Sequence, residues 1–157
     1  MIRSVTIYTF LLMAFLVVNA KGQSLSWTLI EYLEDSLRAK PKPIMVFIHT
    51  DWCKYCKMQE KVTFNDQELI NLLNRDFYSV KLDAEGEIDL KFMGRTYKGG
   101  SSKDYHELSK MLGMKNGKLL FPTTVFYSPT SQGLSKFQGF QQAGDLKAII
   151  KKFEAGI

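Results

Sequence analysis

Three observations predict an α/β fold in which a mixed central sheet is flanked by helices. Helical and strand patterns alternate along the 157 residues in the order helix, strand, helix, strand, helix, strand, strand, helix. Ile44 to Ile48 is a continuous apolar run rich in β-branched residues, which suits a strand covered on both faces. Ser128-Pro129-Thr130-Ser131-Gln132-Gly133 turns the chain between the last two strand candidates and makes them antiparallel neighbours. With 45% hydrophobic and 13% aromatic residues, one domain can build its core without disulfide staples.

The elements follow in order. Thr28 to Leu37 reads as a helix, because Thr28 and Glu31 have capping-box spacing and Ile30, Leu33 and Leu37 share a face. Pro41 and Pro43 end it. After the strand Ile44 to Ile48, a helix runs from Cys53 through Glu60, and Asn65 with Glu68 forms a second capping box for Leu69 to Leu73. Phe77 to Leu82 is a second strand. Residues 86–100 form an insert between that central strand and the following helix, and aromatic residues around Gly94 predict a small hairpin or flap there. Ser102 to Met111 is helical with Gly113 to close it, and Leu119 to Tyr127 is a strand carrying Pro122. Leu134 to Phe140 is its antiparallel partner, and Asp145 to Phe153 the final helix.

The first residues read as an export signal: Arg3 is followed by the mostly apolar stretch Val5 to Val18, with Val18-Asn19-Ala20 permissive for cleavage. A retained N-terminal anchor is the alternative. The expected organisation is a signal peptide over residues 1–22 and one domain over 23–157, working in the periplasm or secreted. Net charge is +5, and +4 without Arg3, the only charged residue among the first twenty. Lysines are interleaved with acids and form no arginine-rich stripe, so they read as solvated surface and nucleic acid binding is not supported.

The two cysteines of the chain lie three apart in Asp51-Trp52-Cys53-Lys54-Tyr55-Cys56-Lys57, where the first strand gives way to a helix. A cysteine at a helix N-terminus meets unpaired N–H groups and the positive end of the dipole, both of which favour the thiolate. A bridge closing so short a loop removes little unfolded-state entropy, so reactivity explains the pair better than stapling. Lys54 and Lys57 either lower the Cys53 pKa further or are ordinary exposed lysines of a helix start. A rival reading uses His49, Cys53 and Cys56 as metal ligands with His106 as a distant fourth; His106 is otherwise expected to be an exposed helix residue.

Lys42 to Lys57, with Phe121-Pro122-Thr123-Thr124-Val125-Phe126 downstream, resembles the thioredoxin superfamily, and Met58 to Phe64 is most similar to exported or membrane-tethered disulfide reductase domains. The resemblance implies a thioredoxin fold and thiol–disulfide exchange, with reduction of protein disulfides favoured. It makes Cys53 the attacking nucleophile and Cys56 the resolving cysteine. Trp52, Phe121 and Pro122 would meet the substrate, with Pro122 as the family's cis-proline; core packing is the alternative for Trp52. No cofactor is implied beyond the redox-active disulfide. Partners would be disulfide-containing proteins and a membrane-bound thiol donor. A non-catalytic binding module on the same fold is the remaining alternative.

One departure is informative. The family's buried aspartate, the proton acceptor for the resolving thiol, falls at Phe47. Lys81 matches the lysine that accompanies that aspartate and would lack its usual partner. Water, Asp51 or Glu60 is then left to take the proton. The insert is expected to border the active-site face, either as a partner-selecting surface or as an inert loop.

Overall fold

The computed structural model describes residues 22–155, so all of the expected export signal except Gly22 lies outside the described residues. A 3-10 turn over Ile30–Tyr32 leads into α1 (Leu33–Ala39). There follow β1 (Ile44–His49), α2 (Lys54–Val62), a 3-10 turn at Thr63–Asn65, α3 (Gln67–Asp76) and β2 (Tyr78–Asp83). The insert holds β3 (Leu90–Phe92) and β4 (Arg95–Tyr97). The chain ends with α4 (Glu107–Gly113), β5 (Thr123–Tyr127), β6 (Leu134–Gln138) and α5 (Ala143–Glu154). No helix among the described residues is long and apolar enough to cross a membrane.

The four-stranded sheet has the order β2-β1-β5-β6. β1 is parallel to β2 and antiparallel to β5, and β6 is antiparallel to β5, which makes the sheet mixed as expected. Every residue of β1 is buried, because the strand is central and covered on both faces. Alternation along β1 divides the core. Met45 and Phe47 enter a cluster with Cys53, Cys56, Phe64, Leu69, Leu73, Leu146 and Ile150 beneath α2, α3 and α5. Ile44, Val46 and Ile48 enter the opposite cluster, with Leu33 of α1, Leu108 and Leu112 of α4, and Phe92 and Tyr97 of the insert.

Several element boundaries differ from expectation, each for a local reason. Thr28 caps no helix; its N–H donates to the Ser79 carbonyl at 2.7 Å, and Trp27 forms a single parallel bridge to Ser79 at the sheet edge. The cap of α3 is Asp66, whose carboxylate accepts the Leu69 N–H at 2.8 Å, because Asn65 is engaged in donating to the Lys61 carbonyl behind it. α4 begins at Glu107 rather than Ser102: the chain first closes a Ser101/Asp104 bridge. Gly113 ends that helix without a left-handed turn. A Cβ there would lie 2.6 Å from Leu119 and 2.8 Å from Ile48, so glycine permits close helix–sheet approach. β5 starts after Pro122, and β6 stops at Gln138, where Gly139 adopts φ 91° and donates to the Pro122 carbonyl. Asp145 caps α5 from inside its first turn by accepting the Gln142 N–H, so the helix starts at Ala143.

The insert is the small hairpin expected, with Met93 and Gly94 both at positive φ in its two-residue turn. Phe92 and Tyr97 bury it on the sheet face opposite the cysteines. The hairpin itself therefore does not border the cysteine face. Only the segments at its base do.

Candidate active site

Cys53 is the N-cap of α2, with extended backbone (φ −72°, ψ 104°), and its Sγ accepts the Cys56 N–H at 3.0 Å. An electronegative cap atom satisfies one of the four orphan donors of a helix start, and a thiolate does so better than a thiol. The two sulfurs are joined in a disulfide with Cα atoms 5.2 Å apart. Cys53 is 4% exposed and Cys56 1% exposed, so the first sulfur is more enclosed than the exposed helix end predicted from sequence. Trp52 and Tyr55, on either side of it in the sequence, are both more than half exposed. Lys54 and Lys57 lie on the exposed side of the same first turn.

Trp52 is held from two directions. Its ring meets Phe121 edge-on at 5.9 Å, and its indole N–H donates to the Glu85 carboxylate at 3.0 Å. Phe121 in turn meets Tyr105 edge-on at 5.1 Å. These contacts place Trp52 at the surface rather than in the core. They also show what the base of the insert does: Glu85 precedes it and Tyr105 follows it, and together they brace the aromatic rim beside Cys53. The Phe121-Pro122 peptide bond is cis, and the strand that follows is tied to the cysteine helix. Fully buried Gln59 donates to Thr124 Oγ1 at 3.0 Å and accepts the Gln141 N–H at 2.9 Å. In the sequence Gln59 is one more polar helix residue, since only tertiary contact gives its two amide ends partners.

Phe47 fills the place of the expected buried base, fully buried against Trp27, His49 and Phe64. Lys81 does have a partner, because Glu60 Oε2 lies 2.9 Å from its Nζ. Asp51 is exposed. His49 is 8% exposed and stacks on Phe47 with ring centres 5.8 Å apart. Burial, and then the Lys81 cation, push the His49 imidazole below its ordinary pKa. His106, expected to be exposed, is buried at the start of α4: Nδ1 accepts the Leu108 N–H at 3.1 Å, so Nε2 carries the proton toward the Ile88 carbonyl at 3.0 Å. Both of its nitrogens are committed to the fold, which removes it from any ligand set.

Against known proteins, a model of the thioredoxin-like domain matches residues 33–154. The chain belongs to the thioredoxin-like family. Among curated relatives of this thioredoxin-like protein, the thiol:disulfide interchange protein DsbD of Campylobacter jejuni is 25% identical over 140 residues, covering 87% of this chain and 21% of DsbD. DsbD of Pectobacterium atrosepticum is 28% identical over 123 residues, 77% of this chain and 18% of that protein. The chain thus spans about a fifth of the length of these relatives. Of solved structures, chloroplastic thioredoxin z superposes with TM-score 0.54 at 17% identity, over 85% of this chain and 96% of that one. A Thermus thermophilus thioredoxin gives 0.53 at 17% identity, over 85% and 87%. These neighbours bear out the thioredoxin fold, and family and relatives together support thiol–disulfide exchange as the reaction class.

Proposed function

We propose that this protein is an extracytoplasmic protein-disulfide reductase that cycles Cys53 and Cys56. The observation that supports it most is Cys53 Sγ accepting the Cys56 N–H at the start of α2, next to a braced exposed tryptophan. In the reduced protein the Cys53 thiolate attacks a partner disulfide, forming a mixed disulfide and releasing one partner sulfur as thiolate. Cys56 then attacks Cys53 Sγ. The Cys53–Cys56 bond forms, the second partner sulfur leaves, and two electrons have passed to the partner. Trp52, Phe121 and Pro122 receive the polypeptide around that disulfide, in the manner of strand addition. Lys54 and Lys57 add positive potential at the nucleophile. A membrane-bound thiol donor would restore the dithiol, a reading supported by the resemblance to exported or membrane-tethered reductase domains.

The test is trapping. A Cys56→Ser variant expressed with its own leader should accumulate disulfide-linked partners that reducing agent releases, and Cys53→Ser should accumulate none. Equal yields from the two variants would refute the assigned roles. A reduction potential of about −120 mV, that of a strong oxidant, would reject the reductase direction.

A further inference from the structure

Resolution by Cys56 demands that a thiol 1% exposed lose its proton. Burial in apolar surroundings raises a thiol's pKa, so a nearby acceptor matters. The side chains that pack with Cys56 in this core include Phe47, Phe64 and Leu69. Alternation along β1 puts His49 on the same sheet face as Met45 and Phe47, the face that carries Cys56 and α2. The charged groups around His49 come from each neighbouring segment: Lys81 and Asp83 on β2, Glu60 on α2, and Asp51 in the turn before α2.

We propose that His49, set against the Lys81–Glu60 pair, accepts the proton that Cys56 releases as it attacks the mixed disulfide. This rests on the exchange reading above. The Cys56 S–H bond breaks and its proton passes to a ring nitrogen of His49, directly or across one water. The Cys56 sulfur forms its bond to Cys53 Sγ, the bond from Cys53 to the partner breaks, and the imidazolium returns the proton to the departing thiolate. Of the acidic candidates, Glu60 has an oxygen committed to Lys81 at 2.9 Å and Asp51 lies at the surface. His49 is more than nine-tenths buried and stacks on Phe47. Its lowered pKa keeps it in the neutral, proton-accepting form at pH 7.

The two thiol steps separate with 5,5′-dithiobis(2-nitrobenzoate). Attack by Cys53 on the reagent releases one thionitrobenzoate, and resolution by Cys56 releases the second. In His49→Gln the first phase should match the parent within about two-fold, while the second slows about a hundred-fold at pH 7, the low end of general-base effects. The gap should close as rising pH ionises Cys56 unaided. A second phase with unchanged rate and pH profile would overturn the proposal. As a readout free of substitution at His49, the His49 titration followed by NMR should differ between the disulfide and dithiol forms of the parent protein. Identical titrations in the two forms of the parent would also overturn it. Absence of the first phase in the parent would instead reject the exchange reading itself, and this assignment with it.

Discussion

Replacing Gln59 by methionine tests how the cysteine helix is held against the strand after Pro122. The substitution keeps side-chain length and approximate volume and removes both polar ends. It leaves the fully buried Thr124 hydroxyl and the partly buried Gln141 N–H without their partners at 3.0 and 2.9 Å. A stranded buried polar group costs about 1–3 kcal/mol, so two of them predict a loss of about 2–4 kcal/mol once partial rehydration at Gln141 is allowed. For a domain of this size that is a fall in Tm of roughly 10 °C. The assay is urea unfolding of the oxidised protein by circular dichroism, where the midpoint should fall at unchanged slope. A double-mutant cycle with Thr124→Val should give a coupling of about 0.5 kcal/mol or more, since Thr124→Val removes the group that Gln59→Met strands. A loss below about 0.5 kcal/mol, or strict additivity, would refute the idea that this amide is a structural lock.

Asp66→Ala should cost about 1 kcal/mol by removing the cap of α3, whereas Asn65→Ala should cost markedly less; equal losses in denaturant titration would contradict the cap assignment. Because the His49 pKa is lower in the folded protein than its ordinary 6.5, its contribution to stability is complete above that value and is lost as pH falls toward the folded-state pKa. His49→Gln should flatten that part of the stability–pH curve. Glu85→Ala, which frees the Trp52 indole, should raise KM for a protein disulfide about five-fold with little change in kcat, the equivalent of one hydrogen bond of about 1 kcal/mol. Gly99→Ala would put a Cβ 1.9 Å from the Glu87 carbonyl oxygen and should cost about 1–3 kcal/mol, while Gly144→Ala, in open space within α5, should gain about 0.5 kcal/mol; thermal melts of the pair decide it.

The parts of the site that were legible in sequence depend on short-range patterns. Cys53 at the strand-to-helix junction and Met93-Gly94 in a hairpin are each specified within a few residues. The misread positions are those where distant groups compete for one donor or acceptor. Thr28 loses its capping role because Ser79 takes its backbone N–H, and Asn65 loses its own because the Lys61 carbonyl takes its amide. His106 is drawn inside because Ile88 and Leu108 satisfy both ring nitrogens. Lys81 looked unpartnered until Glu60, one helical turn beyond Cys56, was brought across to it.

By itself the sequence determined the order of elements, the buried central strand and the cysteine pair at a helix start, because local sterics, periodicity and capping decide these. Tertiary structure alone decided which groups surround the pair. Trp52 is fixed by Glu85 and Phe121, Gln59 by Thr124 and Gln141, and His49 is enclosed against Phe47. Burial energies and hydrogen-bond partners depend on which segments meet in space, and no spacing along the chain encodes that.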